Sequence, residues 1–123
     1  MITELMPRFD KGGGGVDMSA PIYTGKKNMA QSEQFAVTGL SKKPRVVVID
    51  QYRVANTPNY SQTMIFDLDT SSAYRVGYVN NNTWLDGDFT SSFSAFITNV
   101  TDTGVTIVNG TTSTVYTSFA VYG

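Results

Sequence analysis

Arg45-Val46-Val47-Val48-Ile49-Asp50-Gln51-Tyr52-Arg53-Val54-Ala55 is the stretch whose reading decides the fold. Val46 to Ile49 is an uninterrupted aliphatic run, which as a strand is buried on both faces. Tyr52 and Val54 then continue one face. Gly39-Leu40-Ser41-Lys42-Lys43-Pro44 turns the chain into this strand, and Asn56-Thr57-Pro58-Asn59 forms a loop out of it.

Working outward, the same period of two recurs. Gln34 to Thr38 alternates ahead of the turn. Thr63 to Asp69 puts Met64, Phe66 and Leu68 on one face and Thr63, Ile65, Asp67 and Asp69 on the other. Tyr74, Val76 and Tyr78 alternate with Arg75, Gly77 and Val79. Asn80-Asn81-Asn82 predicts a turn, because Asn tolerates left-handed backbone, and a loop with Trp84 and Asp86-Gly87-Asp88 follows. Phe89 to Val100 reads as one strand on the alternation Phe93, Ala95, Ile97. Thr101-Asp102-Thr103-Gly104 is a hairpin turn into Val105–Val108. Thr114 to Tyr122 is the last strand. About seven short strands without helical stripes predict an all-β protein, an antiparallel β-sandwich over residues 32–123.

Residues 1–31 read differently. Gly12 to Gly15 is a run with no side chains to pack, flanked by the apolar clusters Leu5, Met6, Phe9 and Met18, Ile22, Tyr23. The expectation is an extended arm, anchored to another subunit or assembly through Leu5, Met6, Phe9, Ile22 and Tyr23. Extended, about 30 residues reach on the order of 100 Å. Phe96 and Tyr122, on the faces opposite Phe93/Ile97 and Phe119/Val121, call for burial against a partner subunit.

Composition removes much chemistry. There is no His and no Cys among the 123 residues, so imidazole bases, thiolates, disulfides and the commonest metal ligands are absent. Only 15% of residues are charged, against about 25% in an ordinary domain. Ser, Thr and Asn supply the polarity, 35 residues in all. Net charge is −1, with cations concentrated before residue 46 and no Lys or Arg after Arg75. That offers no broad basic surface for nucleic acid. The longest aliphatic run, Val46–Ile49, falls far below the roughly 20 residues of a membrane helix. The N-terminus has no long apolar segment of the secretory kind, which predicts synthesis and folding in a cytoplasm.

Catalytic templates fail. Gly25-Lys26 lacks the first Gly and the Ser/Thr of a phosphate-binding loop, and Ser41-Lys42 sits on a solvated turn. The pairs Asp67/Asp69 and Asp86/Asp88 supply too few oxygens for a hard cation. No enzyme, cofactor or metal site is expected. Asn82, Trp84, Asp86 and Asp88 together have the composition of a sugar-contacting loop, where an aromatic ring stacks on a pyranose and short polar groups bond its hydroxyls.

Several segments then occur in a familiar order: Val37-Thr38-Gly39-Leu40-Ser41-Lys42-Lys43-Pro44 before the aliphatic strand, Asn80-Asn81-Asn82-Thr83-Trp84 mid-domain, Asp102-Thr103-Gly104 in a late hairpin, and Phe119-Ala120-Val121-Tyr122-Gly123 last. This set resembles the small β-sandwich domains of tailed-bacteriophage and prophage appendage proteins. The Pro-plus-aliphatic strand is also similar to that of H-type lectins. The resemblance implies a virion structural protein, in a homo-oligomer with a trimer favoured, docked to tail, baseplate or capsid proteins through residues 1–31. It also implies contact with host surface glycan in some members. One departure stands out: the sandwich follows a short arm rather than a long fibre.

Overall fold

The computed structural model describes residues 15–53, 60–79 and 83–123. The aliphatic run lies in a strand at the middle of a six-stranded antiparallel sheet. In chain order the strands are β1 (Tyr23–Met29), β2 (Gln34–Val37), β3 (Val46–Arg53), β4 (Tyr60–Asp67), β5 (Ser72–Val79), β6 (Thr83–Asp88), β7 (Ile97–Thr101), β8 (Gly104–Val108) and β9 (Val115–Tyr122), with a short helix α1 (Phe93–Phe96) before β7. The large sheet runs β1-β9-β3-β4-β5-β6, and the second sheet runs β2-β8-β7. All pairings are antiparallel. The protein is an all-β sandwich.

Alternation sorts the large sheet into two faces. Val47, Ile49, Met64, Phe66, Phe119 and Val121 point inward and meet Val37, Val105, Ile107 and Ile97 of the small sheet in one core. Phe66 is fully buried, with Phe93 and Phe96 each 5.9 Å away. At one end the apolar layer gives way to polar residues. Gln51, Gln62 and Thr117 are buried, and Gln62 Nε2 donates to Gln51 Oε1 at 2.9 Å.

Three elements differ from the sequence expectation. Residues 23–29, assigned to the arm, are the edge strand β1, paired with β9 along its whole length. Ile22 and Tyr23 pack half-buried against the core: Ile22 N–H donates to Val121 O at 2.7 Å, and the Tyr23 ring stacks on Phe119 at 6.1 Å. Residues 15–19 strap the outer face of the large sheet, with Val16 fully buried against Val46 and Ile65. The strap is held where Asp17 N–H donates to Gly123 O at 3.1 Å. The described residues from 15 to 31 are therefore built into the sandwich. Leu5, Met6 and Phe9 lie outside the described residues.

Phe89 to Val100 is not one strand. Thr90–Ser92 is a 3₁₀ turn, Phe93–Phe96 is helical, and only Ile97 onward is extended. Phe89, Phe93 and Phe96 recur at steps of four and three, and the helical turn places all three rings in the core while Ala95 faces solvent. Phe96 thus finds its cover within the chain. Tyr122 is half-buried, packed against the cluster of Val16, Val46 and Ile65.

The third difference is Trp84 and Asp86-Gly87-Asp88. They form no loop. They are β6, the edge strand opposite β1.

Candidate functional site: the outer face of the large sheet

The strap covers only one end of the outer face, over Val46 and Ile65. Beyond it the register aligns two rows of positions across all six strands. One row runs Lys26, Ser118, Asp50, Thr63, Val76, Asp86. The next runs Asn28, Tyr116, Tyr52, Ser61, Tyr78, Trp84. The second row is notable for its exposed aromatics. Tyr116 is 62% exposed, and Tyr52 and Trp84 are each 53% exposed. Contiguous exposed apolar surface marks a contact site, whereas single exposed rings are ordinary.

Tyr52 and Tyr116 are directly cross-strand neighbours. Trp84 lies three strands further along, about 14 Å at the usual spacing of about 4.8 Å. Between and beside them lies a trough of about 590 Å³ lined by Asp50, Tyr52, Ser61, Thr63, Val76, Trp84, Tyr116 and Ser118, among others. A second depression of about 510 Å³, over Thr24, Lys26, Val48 and Ala120, continues it toward β1. Asp50 and Ser118 line both.

The polar groups are short and fixed by the sheet. Asp50 Oδ1 accepts from Thr63 Oγ1 across the β3–β4 pair. Asp86 and Asp88 follow Trp84 at alternate positions of β6, so all three sequence-selected residues fall on one strand face. Asp88 has a second task. Its Oδ1 accepts from Thr90 N–H at 2.8 Å, and the hydrogen bonds from the Thr90 side chain and amide hold its carboxyl below its ordinary value. It anchors the turn after β6. Asn82 lies outside the described residues.

Tyr52 and Tyr116 were not singled out as a site from sequence. They sit 64 positions apart, and only the β3–β9 register makes them neighbours. Both do fall on the faces that alternation assigns them, opposite Gln51 and Val115. An aromatic at an outward position of two strands was the signal available.

For metals the picture is simple. Among the described residues no group of three or more acidic side chains gathers. Asp69 instead pairs with Arg45, whose Nη2 lies 2.9 Å from Asp69 Oδ2, and Asp67 Oδ1 accepts from Asp69 N–H. Among the described residues, no helix is long and apolar enough to cross a membrane.

Two carboxylates are held below their ordinary values, which predicts an acid sensitivity. The Ala30 amide, and after it Lys27, hold the Glu33 carboxyl below its ordinary value at the β1–β2 turn. Asp88 is lowered as described. A group with a depressed folded pKa adds stability above its unfolded pKa and loses it as pH falls through the folded one. Denaturant midpoints should therefore be flat near neutrality and fall once pH drops below the usual carboxylate range. Glu33→Gln with Asp88→Asn should flatten that fall; an unchanged acid limb would rule these two out as its source.

Set against known families, curated proteins and solved structures, the chain matches none.

Proposed function

We propose that this protein is a small structural component of a bacteriophage virion whose open sheet face binds carbohydrate. The observation that carries the carbohydrate reading is the exposed row of Tyr52, Tyr116 and Trp84 over a trough lined with Ser, Thr and Asp. Aromatic faces bury the apolar side of a sugar ring, and short hydroxyls and carboxylates bond its periphery. The virion placement is supported by the ordered set of turns and strands between Val37 and Gly123. Homo-oligomerisation, with a trimer favoured, belongs to the same reading.

Ile22 and Tyr23 pack half-buried against the protein's own core, so this reading assigns docking to residues 1–14 with Leu5, Met6 and Phe9. Deleting residues 1–14 should leave the sandwich folded and abolish incorporation into particles. Normal copy number without them would end that part of the proposal.

Carbohydrate binding is tested by probing a glycan array with the purified protein and with Trp84→Ala. The substitution should reduce binding by about two- to tenfold, the worth of one stacked ring. Trp84 is half exposed on an edge strand, so folding stability should move by no more than about 1 kcal/mol. Equal binding by both proteins would remove the aromatic row from the site.

A further inference from the structure

We infer that the face takes an internal stretch of an uncharged polysaccharide, lying across the strands, and not a terminal or anionic sugar. This deepens the carbohydrate reading above and rests on it.

The shape argument comes first. The two depressions meet at Asp50 and Ser118 in the middle of the sheet. One extends to Trp84 on β6 and the other to Thr24, Gly25 and Lys26 on β1. Those are the two edge strands. The trough therefore runs from edge to edge, five strand spacings or about 24 Å. A pocket for a chain end would need a wall to stop it. A trough that reaches both edges lets a polymer enter and leave. The contacts also recur along it: Trp84 at one end, then Tyr52 with Tyr116, with hydroxyls of Ser61 and Thr63 between and Ser118 beside Tyr116 on β9.

The charge argument selects the polymer. Asp50 is exposed where the depressions meet, and Asp86 shares its row. Asp50 already accepts one hydrogen bond from Thr63 and retains capacity to accept a sugar hydroxyl. A carboxylate or phosphate on every repeat would be held over that group, as a like-charge contact. Lys26, at the β1 edge, is one cation on a path whose centre is acidic. Hydroxyl donors suit Asp50, and uronates, sialates and phosphates do not.

The test is affinity electrophoresis of the intact protein through gels containing laminarin, mannan, xylan, polygalacturonate, alginate or chitosan. Calorimetry follows with disaccharides to hexasaccharides of the best neutral polymer. At least one neutral polymer should retard the protein, and affinity should climb about tenfold as a second aromatic is engaged. Trp84→Ala and Tyr116→Ala should each remove that gain with length. Asp50→Asn, which keeps the shape, should narrow the gap between neutral and anionic polymers. Stronger retardation by polygalacturonate, alginate or cationic chitosan than by any neutral polymer would overturn the inference. So would an affinity already complete at the disaccharide, which would leave carbohydrate binding standing with a terminal sugar as its ligand. Binding to no carbohydrate in this set or on the array would overturn the carbohydrate reading itself.

Discussion

Asn109→Ala is expected to cost about 3–5 kcal/mol, a large part of the 5–15 kcal/mol typical of a domain this size. Asn109 is 1% exposed and every polar atom of its side chain is engaged. Its Nδ2 donates to Met29 O at 3.0 Å, Ala30 O at 3.1 Å and Ser113 O at 2.8 Å. Its Oδ1 accepts from Thr111 N–H at 3.0 Å and Thr111 Oγ1 at 2.7 Å. The backbone adds two more, since Asn109 N–H donates to Glu33 O and Ser32 N–H donates to Asn109 O, each at 3.0 Å.

One side chain thus ties the end of β1, the turn before β2 and the loop leading into β9. Alanine would leave buried carbonyls and an amide without partners in a space water cannot fill cheaply. Asn109→Asp is the sharper variant. It keeps the shape and the Thr111 bonds but turns the donor into an acceptor facing three carbonyls. It should be at least as damaging at neutral pH. Urea unfolding reads both, as a fall in midpoint with an unchanged slope. A loss below about 1 kcal/mol for either variant would show that the hub is not needed.

Asn109 also shows where sequence reading stops. Asn109-Gly110 is legible as a turn, but two of the three carbonyls its side chain satisfies lie 80 and 79 positions away. The same limit explains the site. The aliphatic run marks Val47 and Ile49 for the core, and nearness in sequence groups Trp84, Asp86 and Asp88. The period of two carries no information on how strands pair, so Tyr52 and Tyr116 could not be joined to Trp84 until the pairings were known.

The helical turn at Phe93–Phe96 was missed for a different reason. Phe93, Ala95 and Ile97 satisfy a period of two, while Phe89, Phe93 and Phe96 satisfy a helical one, and the segment from Phe89 to Ile97 holds both patterns. Tertiary burial decides between them by taking three rings into the core. β1 was missed because Lys26 and Lys27 place charge on both of its faces, as edge strands tolerate. Its place comes from pairing with β9, and Val16 acts as cover for Val46 and Ile65 only because the strap returns over them.

Gly77→Ala should rival the Asn109 variants, and it reaches the candidate site as well. Gly77 has φ +146°, a conformation that side chains rarely adopt. A Cβ there would lie 2.2 Å from Ser61 O and 2.5 Å from Gln62 Cα. Both obstacles are the backbone of β4, so no rotamer change relieves them. Either β5 takes another φ and breaks its pairing with β4, or β4 moves. The strain alone costs on the order of 1–3 kcal/mol, and the displaced pairing should bring the total to about 3 kcal/mol or more.

Gly39 is the control. Its φ is also positive, +68°, but a Cβ there meets nothing within 4 Å. Gly39→Ala should cost only about 1 kcal/mol, the left-handed penalty by itself. If the two alanine variants unfold at the same denaturant concentration, close packing of β5 on β4 is not what requires Gly77. The functional consequence follows from position. β4 supplies Ser61 and Thr63 to the trough, and β5 joins β4 to the strand that carries Trp84. The folded fraction of Gly77→Ala should therefore bind neutral polysaccharide more weakly than wild type, with the single-Trp fluorescence shifted, whereas Gly39→Ala should bind as wild type does. Full affinity in Gly77→Ala would mean that the trough does not depend on the β4–β5 alignment.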